Sequence, residues 1–210
     1  MLESRSAVMR QSSIEMAEQL GIRIPTSLPN LEPLSVIKGA PQVLDRLFCL
    51  NAVAAVAYGF SHHRARAWLD REGLLQSLTK EEADFVGGAG SREPFQLVVE
   101  GAWALAWALR LVPALDPWVG ADPAFVRLLP DLKADESTTR LRESAGSLRS
   151  DEELLSALDL TYCLHWAVRD AALTRSPAPG ELAGYVTVER RRALEWLVSD
   201  ARWDKVALDT

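Results

Sequence analysis

Cysteine is scarce in this chain of 210 residues, and basic charge is in deficit. The two cysteines, Cys49 and Cys163, cannot build a disulfide framework. Both lie in apolar, helical stretches, which predicts buried free thiols in a reducing compartment. The chain has 23 Lys and Arg against 29 Asp and Glu, so its net charge is −6, which argues against nucleic-acid binding. These deficits predict a soluble, cytoplasmic protein.

Long apolar runs and metal-binding patterns are missing as well. The most apolar run, residues 102–109, is far shorter than the roughly 20 residues that span a bilayer. The N-terminus builds no apolar signal core, so we expect neither secretion nor a membrane partner. His62 and His63 are adjacent and diverge by about 100° on a helix, so we expect no metal site. The Gly-x-Ser-x-Gly motif of serine nucleophiles is missing, so nucleophilic catalysis has little support. The phosphate-binding glycine motif is missing too, and we expect no cofactor.

Helical periodicity is what the chain has throughout, and strand alternation is missing. Apolar residues recur at three- and four-residue steps, with Gly and Pro at the breaks between them. This pattern predicts an all-α, single-domain, multi-helix bundle with two buried central helices, over residues 42–60 and 94–111. Further helices are predicted over residues 4–20, 61–73, 79–87, 150–175 and 187–198.

Three segments depart from this helical pattern. Within residues 1–41, Pro25, Pro29, Pro33 and Pro41 follow the first helix and forbid its continuation. We therefore expect a proline-rich connector that packs, together with the N-terminal helix, on the domain. Residues 131–147 are charged and poor in large apolar side chains, which predicts a polar, mobile loop. Residues 185–188 are compatible with a short extended piece.

The stretch 158–170 is too apolar to face water and yet carries charged groups. Buried polar groups without partners cost about 1–3 kcal/mol each, so this helix predicts a buried polar network. Asp159, Tyr162, His165, Arg169 and Asp170 follow helical steps along one stripe. In a functional interpretation, His165 is a general acid or base, Arg169 holds an anionic group and Tyr162 donates a hydrogen bond. In a structural interpretation, Asp159 or Asp170 pairs with arginines of neighbouring elements.

The last helix carries a second pair of charges on its apolar face. Its periodicity predicts that Glu189 and Arg190 point toward the core, whereas Arg191, Arg192 and Glu195 point to water. An inward Glu-Arg pair needs partners from another element, and the stripe on residues 158–170 supplies them.

A third charge is expected inside the helix over residues 94–111. Glu100 is predicted to accept a charge-assisted hydrogen bond from Arg169 or Arg190. Three helices would then meet at one polar cluster, which is roofed by Trp103, Trp166 and Trp196. The candidate site residues are Glu100, Asp159, Tyr162, His165, Arg169, Asp170, Glu189 and Arg190.

Several of these segments resemble one bacterial protein family. They are residues 100–109, the string His-Trp-Ala-Val-Arg-Asp at 165–170, residues 189–197, Trp-Asp at 203–204 and the ending Asp-Thr. Together they are similar to the family described as domain of unknown function 4272. The resemblance implies a bacterial, cytoplasmic, mainly helical protein with no assigned activity and no catalytic residue to carry over. Arg110 and Glu195 depart from it, since a small residue and Asn are expected there.

Two classes of function remain open from the sequence. The first is a protein-binding or accessory module, for example an inhibitor, which predicts an exposed patch near Trp118 or near Leu28 and Leu31. The alternative is a small-ligand binder or an enzyme that uses the buried Tyr, His, Arg and Glu cluster. It predicts a cleft that reaches the cluster and a shifted pKa of His165. The sequence assigns no oligomeric state.

Overall fold

The computed structural model describes residues 2–31, 35–177, 179–180 and 183–209, with side chains from residue 5 onward. These residues form α-helices and short 3-10 helices and no strand, which confirms the all-α prediction. The helices are α1 (Leu2–Gln19), α2 (Ala40–Ala57), α3 (His62–Arg71), α4 (Lys80–Val86), α5 (Glu93–Gln96), α6 (Val98–Ala108), α7 (Thr139–Ser144), α8 (Asp151–Thr174) and α9 (Gly184–Val198).

Helix ends follow local capping signals. Capping boxes begin α4 at Thr79 and α8 at Ser150, and the glutamate three residues later completes each box. Gly21 follows α1 with φ +75°, which is favourable for glycine. Arg110 takes the same left-handed region after α6, with φ 62°, and a residue without a Cβ is preferred there. The departure of Arg110 from the family pattern therefore falls at a strained helix end.

Three predicted segments differ from the structure. The helix predicted over residues 94–111 is divided into α5 and α6 at Leu97. Residues 185–188 are helical and belong to α9. Residues 131–147, predicted as a polar loop, contain α7. Composition is misleading in this last segment because its polar groups have partners outside it: Glu72 accepts both the backbone N–H and the hydroxyl of Thr138, at 3.0 and 2.7 Å.

The chain divides into two compact units. Unit 1 comprises Met1–Ile37, Leu115–Gly120 and Arg149–Thr210, and unit 2 comprises Lys38–Ala114 and Ala121–Leu148. The single-domain organisation expected from the sequence stays a prediction.

Unit 2 is built on α2, which packs against α6 and α3. By length and composition α2 could cross a membrane, but 61% of it is buried within the protein, as is usual for a core helix. Its buried Arg46 forms an ion pair with Glu82. The second oxygen of Glu82 accepts the backbone N–H of Thr79 at 2.8 Å. A buried charge is thus paired and also closes the cap of α4.

Unit 1 places α8 between α1 and α9. Apolar side chains of α1 and of the connector pack on α8 within unit 1. Ile22, Ile24 and Leu28 are buried, whereas Ile37 is half exposed. Pro33 and Leu34 lie outside the described residues. The connector therefore contributes to the core of unit 1.

Candidate functional site

Helix α8 presents three polar side chains to the interior of unit 1. Asp159, Tyr162 and His165 are all buried, and their three-residue spacing puts them on one side of the helix. The predicted stripe on α8 therefore includes a polar group in each of three successive turns.

Asp159 is neutralised by Arg10, a residue of α1 that is not among the candidate site residues. The Arg10 guanidinium binds both carboxylate oxygens through Nε and Nη2, with the shortest contact at 2.7 Å. Its Nη1 donates to the carbonyl oxygens of Leu28 and Pro29 at 2.9 and 2.7 Å. This pair matches the structural interpretation of the cluster, because it ties the connector and α1 to α8.

The ring of Tyr162 lies between two guanidinium groups. Arg10 is 5.2 Å and Arg191 is 4.7 Å from the centroid of the ring. Both distances are within the range of cation–π attraction. The ring is therefore held by packing, and its hydroxyl makes no hydrogen bond to the described part of the chain.

Arg191 is the centre of the cluster, and its predicted position was wrong. It was expected to point to water but is only 3% exposed. Its Nη1 donates to His165 Nδ1 at 2.6 Å and to the carbonyl oxygen of Leu208 at 3.3 Å. Nε and Nη2 donate to Glu195 at 3.2 and 3.1 Å, and Nη2 also donates to the carbonyl oxygen of Asp209 at 2.9 Å. These bonds use all five N–H groups of a guanidinium.

Arg191 is buried because α9 buries a larger part of its circumference than its apolar pattern predicts. A residue next to Arg190 is rotated by about 100° around the helix, so a narrow apolar face would leave Arg191 in water. The helix instead buries more than one side. Its buried residues are Val186, Thr187, Arg190, Arg191, Ala193, Leu194, Trp196 and Leu197.

Glu195 was also expected in water, and its side chain is largely covered. Burial raises the pKa of its carboxyl group, while the neighbouring Arg191 acts in the opposite direction. Glu195 departs from the family pattern, in which Asn is expected, and it supplies the carboxylate of the Arg191 ion pair. Arg192, the third residue expected in water, is partly exposed and forms an ion pair with Glu189 at 3.5 Å.

The bond to Arg191 determines the tautomer of His165. A guanidinium cannot accept a hydrogen bond, so Nδ1 of His165 must accept and the ring proton must lie on Nε2. Burial, together with the guanidinium groups of Arg191 and Arg169, lowers the pKa of His165 to about 4. The imidazole is therefore neutral at pH 7. Nε2 of His165 has no acceptor among the described residues, but it is not one of their buried unpaired atoms, so it reaches solvent although the residue is only 3% exposed.

None of the other predicted site residues forms a hydrogen bond with His165 in the described part of the chain. Arg169 and Asp170 are exposed on α8, and Arg169 has no carboxylate partner in the described ranges. Arg190 is buried, as predicted, and donates to the carbonyl oxygens of Asp116 and Val119.

Glu100 belongs to unit 2, and Arg169 and Arg190 belong to unit 1. One carboxylate oxygen of Glu100 accepts the backbone N–H of Ala121 at 2.9 Å. The bond predicted from Arg169 or Arg190 to Glu100 stays a prediction, as does the tryptophan roof. In unit 1, Trp196 packs edge-to-face on Trp203, with ring centroids 5.7 Å apart.

The described part of the chain offers no cluster of metal ligands and no reactive thiol. No group of three His, Cys, Asp or Glu side chains is placed there to hold a metal ion. Both cysteines are free and buried, as predicted. Burial raises the pKa of the Cys49 and Cys163 thiols to about 12. Both groups are therefore protonated thiols at pH 7 and weak nucleophiles.

Comparison with known proteins identifies the family. No protein of curated function and no solved structure matches the chain. The family described as domain of unknown function, DUF4272, matches residues 9–206. This range includes the larger part of α1, all of α2 through α9 and most of both units. The chain therefore belongs to the DUF4272 family.

Proposed function

We propose that the protein binds a small ligand carrying an oxyanion, a carboxylate or a phosphate, along one edge of α8. The edge is formed by Tyr162, His165 and Arg169 and is called the α8 donor row. The observation that carries the proposal is Nε2–H of His165, which has no acceptor in the described chain and is not one of its buried unpaired atoms, so it can be reached from solvent. A donor in that position takes its acceptor from water or from a ligand.

The α8 donor row offers hydrogen-bond donors, so a ligand that binds it must supply acceptors. Nε2 of His165 carries a proton, the Tyr162 hydroxyl can donate, and the guanidinium of Arg169 only donates. Arg169 is close enough to His165 to lower its pKa, and it lacks a carboxylate partner among the described residues. Three donors, one of them charged, suit a carboxylate or phosphate. In this proposal His165 is a hydrogen-bond donor and not a general base, since its free nitrogen is already protonated.

The protein-binding alternative has less support from the described residues. Of the residues named for its surface, Leu28 is buried in the core of unit 1, and Leu31 and Trp118 are partly buried against the same core. A role as accessory or inhibitor module stays a prediction.

We also propose a soluble, cytoplasmic location in bacteria. The support is the acidic charge of −6 and the two free, buried thiols, since free cysteines are usual in reducing compartments.

Calorimetric titration of the whole 210-residue chain tests the ligand proposal. The probes are acetate, malonate and inorganic phosphate, with acetamide as the uncharged counterpart of acetate. We expect at least one anion to bind and acetamide not to bind. Arg169→Gln should weaken the binding about tenfold or more, because a hydrogen bond to a charged group is lost.

The control removes an equivalent charge elsewhere. Arg66 is an exposed arginine of α3, in unit 2, and Arg66→Gln should leave the affinity unchanged. Tyr162→Phe retains the ring between the two guanidinium groups and removes only the hydroxyl, so it should weaken binding without loss of fold. The proposal fails if no anion binds, or if both arginine variants weaken binding equally.

A further inference from the structure

Arg191 is held so that one of its N–H groups is aimed at His165. Its Nε and Nη2 donate to the carboxylate of Glu195 at 3.2 and 3.1 Å. The carbonyl oxygens of Leu208 and Asp209 accept one further N–H each, at 3.3 and 2.9 Å. The remaining N–H, on Nη1, donates to Nδ1 of His165 at 2.6 Å. Because every N–H of the guanidinium is engaged, the group cannot rotate without breaking several of these bonds.

The bond from Arg191 controls what His165 can offer on the opposite side of its ring. A proton on Nδ1 would face a guanidinium N–H, which cannot accept it, so Nδ1 keeps its lone pair. The single N–H of the neutral imidazole must therefore lie on Nε2. Nε2 is not one of the buried unpaired atoms and has no acceptor in the described part of the chain. His165 thus offers a ligand one hydrogen-bond donor and no acceptor.

The charges around His165 also keep a second proton off its ring. Helices α1 and α9 pack on α8. The charged groups that these elements bring to this part of unit 1 are Asp159 and Arg169 on α8, Arg10 on α1, Arg191 and Glu195 on α9, and Asp209 after α9. Burial and the guanidinium groups of Arg191 and Arg169 lower the pKa of His165 to about 4. A histidine beside an anion ordinarily gains a proton, but here protonation of Nδ1 would break the bond from Arg191.

We propose that Arg191 determines which ligands the α8 donor row accepts. It makes His165 a donor only, so the row binds anions that are already ionised, such as carboxylates and phosphate esters, and excludes groups that must themselves donate. Binding then transfers no proton to or from His165. The inference rests on the function proposed above and deepens it, because it names a specificity-determining residue and describes a binding site without acid–base chemistry at His165.

The tautomer of His165 is measured first, in the whole chain and without a ligand. Nitrogen-15 chemical shifts of the imidazole at about pH 7 distinguish Nε2–H from Nδ1–H. We expect Nε2–H alone in the wild type and in Arg191→Lys, whose ammonium group also only donates. Arg191→Gln is combined with Glu195→Gln, so that no buried carboxylate loses its partner. The amide at position 191 can donate or accept, so both tautomers should appear in this double variant.

Calorimetric titration with acetate and acetamide at about pH 6, in two buffers of different ionisation enthalpy, then measures selectivity and proton transfer. We expect the wild type and Arg191→Lys to bind acetate without proton uptake. The double variant should take up a fraction of a proton with acetate, because the bond and the charge that opposed protonation are gone. Acetamide can donate to the free Nε2 of the second tautomer, so it should bind the double variant about fivefold or more tightly than the wild type.

The control is Arg192→Gln, which changes the neighbouring arginine of α9, an ion-pair partner of Glu189. It should leave the tautomer, the proton transfer and both affinities unchanged. A mixture of tautomers or proton uptake in the wild type would overturn the role of Arg191, even if acetate binds and needs Arg169. The same conclusion follows if the double variant keeps a single tautomer and the wild-type selectivity. If no anion binds the wild type, the function proposed above and this inference both fall.

Discussion

The proton of His165 is placed by Arg191, and this placement affects stability against pH. The folded-state pKa is lowered to about 4, whereas an unfolded histidine titrates near pH 6.5. Because the folded-state pKa is the lower one, the stabilisation is complete above about pH 6.5 and is lost as the pH falls toward 4. We expect His165 alone to remove about 3 kcal/mol from the free energy of unfolding across this window.

Urea unfolding of the wild type and of His165→Asn, from neutral pH down to about pH 4, measures this loss. Asn keeps an acceptor near Arg191 but does not titrate, so the variant should lack this part of the pH dependence. His63→Asn changes an exposed histidine of α3 and should follow the wild type. Identical pH dependence in the wild type and His165→Asn would contradict the assignment.

At the residue scale, the sequence identified the buried polar residues of α8 but not the arginines that bind them. Asp159, Tyr162 and His165 were identified because a polar group inside an apolar helical pattern is visible locally. Arg10 and Arg191 were missed, since arginines on helices are usually surface residues. One signal was available for Arg10: Ser13, Ile14 and Ala17 follow it at helical spacing and share its buried side.

The ion pair of Arg10 and Asp159 acts at the scale of elements, because it ties α1 and the connector to α8. Both side chains are almost fully buried. Arg10→Met would leave the Asp159 carboxylate and the carbonyl oxygens of Leu28 and Pro29 without these hydrogen bonds. We expect a loss of about 3–5 kcal/mol in the free energy of unfolding, as measured by denaturant titration.

Two further variants show how much of this loss comes from leaving one buried charge unpaired. Arg10→Met combined with Asp159→Leu removes both charges and should recover part of the loss. The matched control is Arg140→Met, which breaks an exposed i,i+4 pair with Glu136 at 2.9 Å and should cost less than about 1 kcal/mol. A loss for Arg10→Met no larger than for Arg140→Met would show that the buried pair is not a tie between the helices.

Element boundaries were predicted best where the signal is short-range. The caps at Thr79 and Ser150 depend on a residue three positions later, so they are readable from the sequence. Residues 131–147 were predicted poorly because Glu72 and Trp68 of another segment satisfy their polar groups. Trp68 Nε1 donates to the carbonyl oxygen of Glu136 at 2.8 Å. Local composition cannot show such a partner.

At the scale of the whole molecule, the two cysteines report on whether the units unfold together. Cys163 is in unit 1 and Cys49 is in unit 2. Since burial raises the pKa of both thiols to about 12, neither should react with a thiol reagent at about pH 8 in the folded state. The chain passes between the units after residues 37, 114, 120 and 148, so neither unit is one continuous segment. We therefore expect the two thiols to become reactive in one cooperative transition.

Pulsed alkylation along a urea gradient, with mass spectrometry of each cysteine peptide, gives one midpoint for each unit. Coincident midpoints would support the single-domain prediction, whereas midpoints separated by more than about 0.5 M urea would show two independently unfolding domains. Cys49→Ala and Cys163→Ala, studied separately, control for effects of labelling one site on the other.

The sequence by itself determined that the protein is all-helical, where most helices begin and end, and that α8 buries polar groups. These properties depend on contacts within a few residues, which periodicity and capping signals describe. Only the tertiary structure decided which charges meet. Asp159 binds an arginine 149 residues away, and His165 binds one 26 residues away. Such pairs are selected by the packing of whole helices, because an unpaired charge destabilises the protein only when folding removes it from water.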